Sequence, residues 1–273
     1  MLLGIDIGGT TISLGLVDKG RVISRTTAPS FSRDDSQSQT IDTLISLIEA
    51  IIVPQVKSIG IGVPSVVDTK NGIVYDAANI PSWKEIHLKE ILEERFGIPV
   101  SVNNDANCYA LGAVHALGCK SGISVGVTLG TGVGMGVIVD GKVLNGRNTG
   151  VGELSCLPYG DSTIENYCSR SFFDEKGLIP AELGEKARKG DPSALATFRK
   201  FGQNLAVLIN VVMLAYDPDC IIFGGGIANN YGFFHDSMVK GLEETFPYKE
   251  SLKDLRIEYM PQSETALVGA SLL

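Results

Sequence analysis

"LGIDIGGTTISLGLVDKGRV" (residues 3–22) and "VGVTLGTGVGMGVIVDGKV" (residues 125–143) decide the fold, because they are two versions of one design. Each reads as an apolar strand, a Gly/Thr turn, a second apolar strand with an internal glycine, and a tight turn ending in glycine. Gly8 and Gly130 are 122 positions apart, while Gly15 and Gly136, and Gly20 and Gly141, are 121 apart. One deleted residue in the second copy reconciles the spacings. Two β-hairpins could share turn chemistry by chance, but three matched glycines favour a duplicated domain whose halves face each other across a cleft.

Working outward, the first fifty residues read β-β-β-α, with a helical pattern over about 38–52. "SIGIGVP" (58–64) is a buried strand stopped by Pro64, and "NGIVYDAAN" (71–79) follows an Asn-Gly turn. A helix is predicted over 87–96, a strand over 98–104 and a helix over 106–117 ended by Gly118. After the second copy the chain is mostly helical over 161–200. Asp191-Pro192 reads as an N-cap followed by proline at the first helical position of a long helix reaching about 216. A strand runs into "GGG" (224–226), a short strand covers 255–260, and small residues close the chain in a tightly packed helix.

With 273 residues the chain exceeds the usual single core, so two domains are expected. A net charge of -8 argues against nucleic acid or an anionic membrane surface as partner. The apolar helical stretch 205–216 is too short to span a bilayer. Five cysteines without a C-x-x-C pair, and a Met1 that leads directly into a strand, point to reduced thiols in the cytoplasm.

A strand followed by "GGTT" (8–11) or "GTGVG" (130–134) exposes several backbone amides in a tight arc, with no Cβ to keep a ligand away. Such an arc is an anion nest suited to phosphate. Gly8, Gly9, Thr10 and Thr11 form the first; Gly130, Thr131, Gly132 and Gly134 form the second. Two nests on facing domains would hold one polyphosphate from both sides. Neither is a Walker A loop or a Rossmann fingerprint. Asp6 ends the strand before the first nest. It either caps the turn or faces the cleft and holds Mg²⁺, since a buried carboxylate is costly without a partner. Gly224, Gly225 and Gly226 form either a strained corner or a surface for an adenine and ribose.

"GIDIGGT", "VNNDANCYALG", "LGTGVGMGVIVDGKVLNG", "GVGEL" and "PDCIIFGGGI", in this order and spacing, resemble the ROK family (repressors, open reading frames and sugar kinases) over nearly the whole chain. The resemblance implies an α/β fold of two RNase-H-like, actin-like ATPase domains with an interdomain cleft: residues 1–107 plus about 263–273, and 108–262. It implies Mg²⁺- and ATP-dependent phosphorylation of a hexose or N-acetylhexosamine, generally at the 6-hydroxyl, and a homodimer. On sequence alone Asp105 is equally an N-cap or a proton acceptor; the resemblance makes it the general base and Asn104 a ligand of a sugar hydroxyl. Glu153 and Glu165 match the family's two sugar-binding glutamates, the alternative being two solvated surface acids, and Asn79 resembles a loop near the sugar.

The pattern breaks in "GELSCLPYGDSTIENYCSR" (152–170). Cys156 stands where the family carries a histidine, and Cys156 and Cys168 are two sulfur ligands where structural zinc requires four close ligands, so no zinc site is expected. His115 reads as a packing residue. Loss of the histidine leaves open a sugar-binding protein with little kinase activity. A transcriptional repressor would carry a DNA-binding domain ahead of the first motif, which here begins at residue 4.

Overall fold

In a computed structural model of the chain, which describes residues 1–77, 79–119, 121–147 and 149–273, the first copy becomes β1 (Leu2–Ile7), β2 (Thr11–Asp18) and β3 (Arg21–Pro29). They pair antiparallel, with Gly4 opposite Gly15 and Asp6 opposite Ser13. β1 is central and buries Leu3, Ile5 and Ile7 completely, which explains its nearly unbroken apolar run. β3 is the exposed edge and ends at Pro29, which only an edge tolerates well. Helix α1 (Gln37–Ile51) begins at Ser36, which forms a capping box with Gln39.

β4 (Ile59–Val63) joins β1 in parallel. A three-stranded excursion follows: β5 (Val66–Asp68), β6 (Ile73–Tyr75) and β7 (Glu85–His87), leading to α2 (Leu88–Phe96). Past the Asn-Gly turn, β6 ends at Tyr75 because Asp76, at φ 44°, turns the chain out of the extended region; Ala78 lies outside the described residues. β8 (Val100–Asn104) runs parallel to β4 and passes directly into α3 (Asp105–Leu117).

The second copy gives β9 (Ile123–Leu129), β10 (Val133–Val139) and β11 (Lys142–Val143). Beyond it lie β12 (Pro158–Tyr159), β13 (Ser162–Thr163), α4 (Ile164–Cys168), α5 (Ser171–Asp174), α6 (Pro180–Arg188) and α7 (Pro192–Tyr216). β14 (Cys220–Gly224), α8 (Tyr231–Thr245), β15 (Arg256–Tyr259) and α9 (Gln262–Ser271) complete the chain. Asp191 caps α7 by accepting from the Ala194 amide, with Pro192 at its start.

The first sheet has the order β3-β2-β1-β4-β8 and the second β11-β10-β9-β14-β15. They correspond position for position, and β14 is parallel to β9 and β15 just as β4 is to β1 and β8. The hairpin turns match too: Lys19 and Gly20 have φ 49° and 75°, Asp140 and Gly141 49° and 74°. Duplication therefore extends from sequence to backbone conformation.

Two compact units divide the chain: Met1–Lys120 with Gly136–Val151 and Ser263–Leu273, and Ser121–Met135 with Gly152–Gln262. In the first, Asn103 Nδ2 donates to Asn145 Oδ1 at 2.9 Å and the Val67 amide to Thr149 Oγ1 at 3.1 Å, tying 136–151 to that unit. The boundary expected at 107/108 falls within α3, whose buried residues pack in the first unit. Helix α9 lies almost on the sheet backbone. A methyl at Gly4 would stand 1.9 Å from the Leu267 carbonyl oxygen, and one at Gly60, its neighbour across β1 and β4, 1.7 Å from that of Ala270.

Candidate active site

In the first unit the chain turns between β1 and β2 at Gly8–Thr11. The Gly8 amide donates to the Thr11 carbonyl at 2.9 Å, the Ser30 amide to the Thr10 carbonyl at 3.0 Å, and Ser30 Oγ to the Gly8 carbonyl at 2.7 Å. The turn is thus pinned from the end of β3, while Gly9, Thr10 and Thr11 stay exposed. The Asn79 amide packs over Gly9, where a methyl would be 3.1 Å from Nδ2. The loop residue and the turn that were singled out separately therefore meet.

Asp6 and Asp105 also come together. Burial first, and the Asp105 carboxylate second, push Asp6 up to about 7, against a smaller lowering by the Arg25 guanidinium. Asp105 opens α3, and Asn104 caps that helix: its Oδ1 accepts from the Ala106 amide at 2.9 Å and the Asn107 amide at 3.4 Å. Asn104 Nδ2 donates to the Ser65 carbonyl at 3.3 Å. The capping duty that sequence alone could assign to Asp105 thus falls to its neighbour. The start of α3 sits close on β4, with a methyl at Gly62 placed 3.3 Å from Asp105 Cα and 3.1 Å from Cys108 Sγ. Burial, then Asp6 and Asp105, push the Cys108 thiol well up, so it stays neutral beneath the two carboxylates.

In the second unit the turn between β9 and β10 is braced by the elements that follow it. The Gly130 amide donates to the Gly132 carbonyl at 3.0 Å, and the Arg170 amide to the Gly130 carbonyl at 2.9 Å. Glu165, in the first turn of α4, accepts from the Val133 amide through Oε2 at 2.9 Å. Thr128 Oγ1 donates to the Gly134 carbonyl at 3.3 Å. Gly225, at φ 90°, abuts the end of β9, since a methyl there would lie 2.3 Å from the Leu129 carbonyl oxygen. The third glycine cluster, from Gly224 to Gly226, is thereby held beside the second nest. Gly130 and Gly226 differ from Gly225: neither has positive φ, and a methyl on either would meet no atom within 4 Å. Packing does not require these two to be glycine, so their bare faces suit close approach of a ligand.

Glu153 begins a 3₁₀ turn, Glu153–Cys156. Cys156 Sγ donates to Glu153 Oε2 at 3.8 Å, and desolvation followed by the charges of Glu153 and Glu165 raises its thiol, keeping it protonated. The charges of both glutamates therefore reach the thiol, and Glu153 touches it. Trp83 is core, fully buried with Nε1 donating to Thr40 Oγ1 at 2.7 Å. His115 rests on the first hairpin turn, its Nε2 2.5 Å from where a Gly20 methyl would be. Sequence reasoning missed Ser30, Arg25 and Ser155, whose contacts come from strand pairing and loop return and leave no local motif.

Comparison with known proteins finds similarity over nearly the whole chain. The ROK family model matches residues 2–273. An N-acetyl-D-glucosamine kinase of Erwinia tasmaniensis is 32% identical, over 89% of this chain and 88% of its own. A ROK family glucokinase from Streptomyces griseus, in complex with glucose and AMPPNP, superimposes with a TM-score of 0.82 at 25% identity, covering 99% of this chain and 97% of that one. A ROK hexokinase from Thermus thermophilus does so with a TM-score of 0.81 at 26% identity, covering 99% and 96%.

Proposed function

The chain belongs to the ROK family and is an ATP-dependent sugar kinase; we propose that it phosphorylates a hexose or N-acetylhexosamine at the 6-hydroxyl, with Asp105 as general base. The observation that carries this reading is that Asp6 stands opposite Gly62 in the sheet, where Asp105 Cα lies 3.3 Å from the place of a Gly62 methyl, beside a turn whose Gly9, Thr10 and Thr11 are exposed. Phosphoryl transfer asks for positioned phosphate donors, charge neutralisation and a group to take the alcohol proton. Asp105 takes that proton as the hydroxyl oxygen attacks the γ-phosphorus and the bond to the β,γ-bridging oxygen breaks.

ATP is assigned to Gly8, Gly9, Thr10 and Thr11, to Gly130, Thr131, Gly132 and Gly134, and to Gly224, Gly225 and Gly226. Asn79, Asn104, Glu153 and Glu165 are assigned to the sugar, carboxylates being able to accept from adjacent hydroxyls. Among the described residues no three potential metal ligands cluster, so Mg²⁺ would take Asp6 and nucleotide oxygens, as hard cations at phosphate sites do. Asp6 fits that duty, since a carboxyl held near neutrality beside a second carboxylate ionises readily once a cation arrives. When bound, Mg²⁺ neutralises charge on the phosphate oxygens.

Coupled ADP release, measured over a panel of hexoses, N-acetylhexosamines and their 6-deoxy analogues, tests the reading. Turnover with one sugar and none with its 6-deoxy analogue is the expected result. Turnover with the 6-deoxy sugar overturns the hydroxyl assignment, and none with any sugar favours the sugar-binding protein without kinase activity.

A further inference from the structure

The turn that would carry phosphate and the residues that would carry sugar are one bonded assembly in the second unit. Glu165 Oε2 accepts from the Val133 amide at 2.9 Å, and Gly132 passes so close beneath it that a methyl there would lie 2.6 Å from the same oxygen. On the other side of the strand start, the buried Ser155 Oγ donates to the Val133 carbonyl at 3.1 Å, from the same 3₁₀ turn that holds Glu153. The Arg170 amide, just past α4, holds the Gly130 carbonyl at 2.9 Å. Among the described residues no hydrogen bond engages the amides of Thr131 and Gly132, which stand between these ties.

We propose that Glu165 is a positioning residue for the nucleotide: by holding the Val133 amide it shapes the Thr131–Gly132 turn into an anion receptor. This rests on the kinase reading above and deepens it. The hydrogen bond from the Val133 amide to the Glu165 side chain fixes the backbone at the start of β10, and its loss would leave the turn loose. Oε2 is committed to the turn, and the remaining acceptor capacity of the carboxylate faces the sugar's duty. A sugar hydroxyl bonded to that carboxylate restricts its rotamers and so stiffens the phosphate turn. Sugar then raises nucleotide affinity, and nucleotide raises sugar affinity by the same factor.

The test is calorimetric titration of AMPPNP with Mg²⁺ into sugar-free protein. Glu165→Ala removes both duties, whereas Glu165→Gln keeps an amide oxygen that can accept from Val133 while losing the carboxylate's second acceptor. The expected results are on the order of tenfold weaker nucleotide binding for Glu165→Ala and binding within about threefold of wild type for Glu165→Gln. Ser155→Ala, which loosens the same strand start without touching either ligand, should weaken nucleotide binding as well, and serves if Glu165→Ala fails to fold. Unchanged affinity in Glu165→Ala makes Glu165 a sugar ligand alone and overturns the proposal. Tighter binding shows that the carboxylate obstructs phosphate, and equal losses in the Ala and Gln variants show that the amide bond is not what matters; both overturn it too. None of these titrations needs turnover, so they are read separately from wild-type ADP release on the sugar panel, which tests the kinase reading itself.

Discussion

Burial and, after it, the nearby Asp105 carboxylate raise the Asp6 carboxyl from its usual value near 4 to about 7, against a smaller lowering by Arg25. The sign of the consequence follows from the direction of the shift. The native state takes up the Asp6 proton more readily than the unfolded chain does. Its contribution to stability is therefore complete below about pH 4 and is lost as pH rises through about 7. In metal-free protein, Asp6→Asn should gain up to roughly 4 kcal/mol over wild type at pH 8 and almost nothing near pH 4. Urea unfolding at the two pH values checks this, and equal gains at both would refute it. Asp105→Asn should lower the Asp6 value, observable by carboxyl carbon NMR.

Asp105→Asn should also reduce kcat by about 10²–10⁴, the usual contribution of a positioned base. The variant should fold normally, because Asn104 and not Asp105 caps α3. It should still bind AMPPNP. Near-wild-type turnover would remove Asp105 from the role.

Gly9→Ala tests the contact between the phosphate turn and the sugar loop. The new methyl would stand 3.1 Å from Asn79 Nδ2, so the amide must yield by a few tenths of an ångström. Misplacement on that scale should cost roughly three- to tenfold in kcat/KM, with KM rising for sugar as well as for ATP. A change confined to ATP would mean that Asn79 does not touch the sugar.

Two glycine substitutions should separate backbone crowding from backbone strain. Gly4→Ala drives a methyl to 1.9 Å from a helix carbonyl that cannot move freely and should cost upward of about 3 kcal/mol. Gly97→Ala at the end of α2 has open space and only a φ of 67° to oppose it, so about 1 kcal/mol is expected. Thermal unfolding of the two variants ranks them, and similar losses would contradict the close seating of α9.

Much of this architecture was legible because the duplication is written at the level of turns. The glycines of each nest and hairpin keep their spacing, and proline and glycine mark helix ends at Pro192 and Gly118, the latter in a left-handed cap. The strand-to-helix corner at Asn104–Asp105, to which we assign the base, was visible as the point where an apolar strand run gives way to a helical pattern. What escaped was created by topology. Ser30 reaches Gly8 only because β3 returns along β2, and Arg25 acts on Asp6 only because three strands lie side by side. Ser155 and Glu165 converge on Val133 through a fold of the chain that no spacing announces. Glycine is the plainest case: Gly130, Gly225 and Gly4 are one letter, yet one faces open space, one adopts a left-handed turn and one lies under a helix.

The seating of α9 on Gly4 and Gly60 also sets a timetable for the newly made chain. β1 leaves the ribosome early, but the cover for its glycine face is synthesised only after the stretch Gly152–Gln262 of the other unit has emerged. That stretch is unbroken and can begin to fold while the first unit still waits for its lid. During this interval the bare backbone of β1 and β4 is open to chaperones and to misplaced partners, so α9 governs the safety of a strand made long before it.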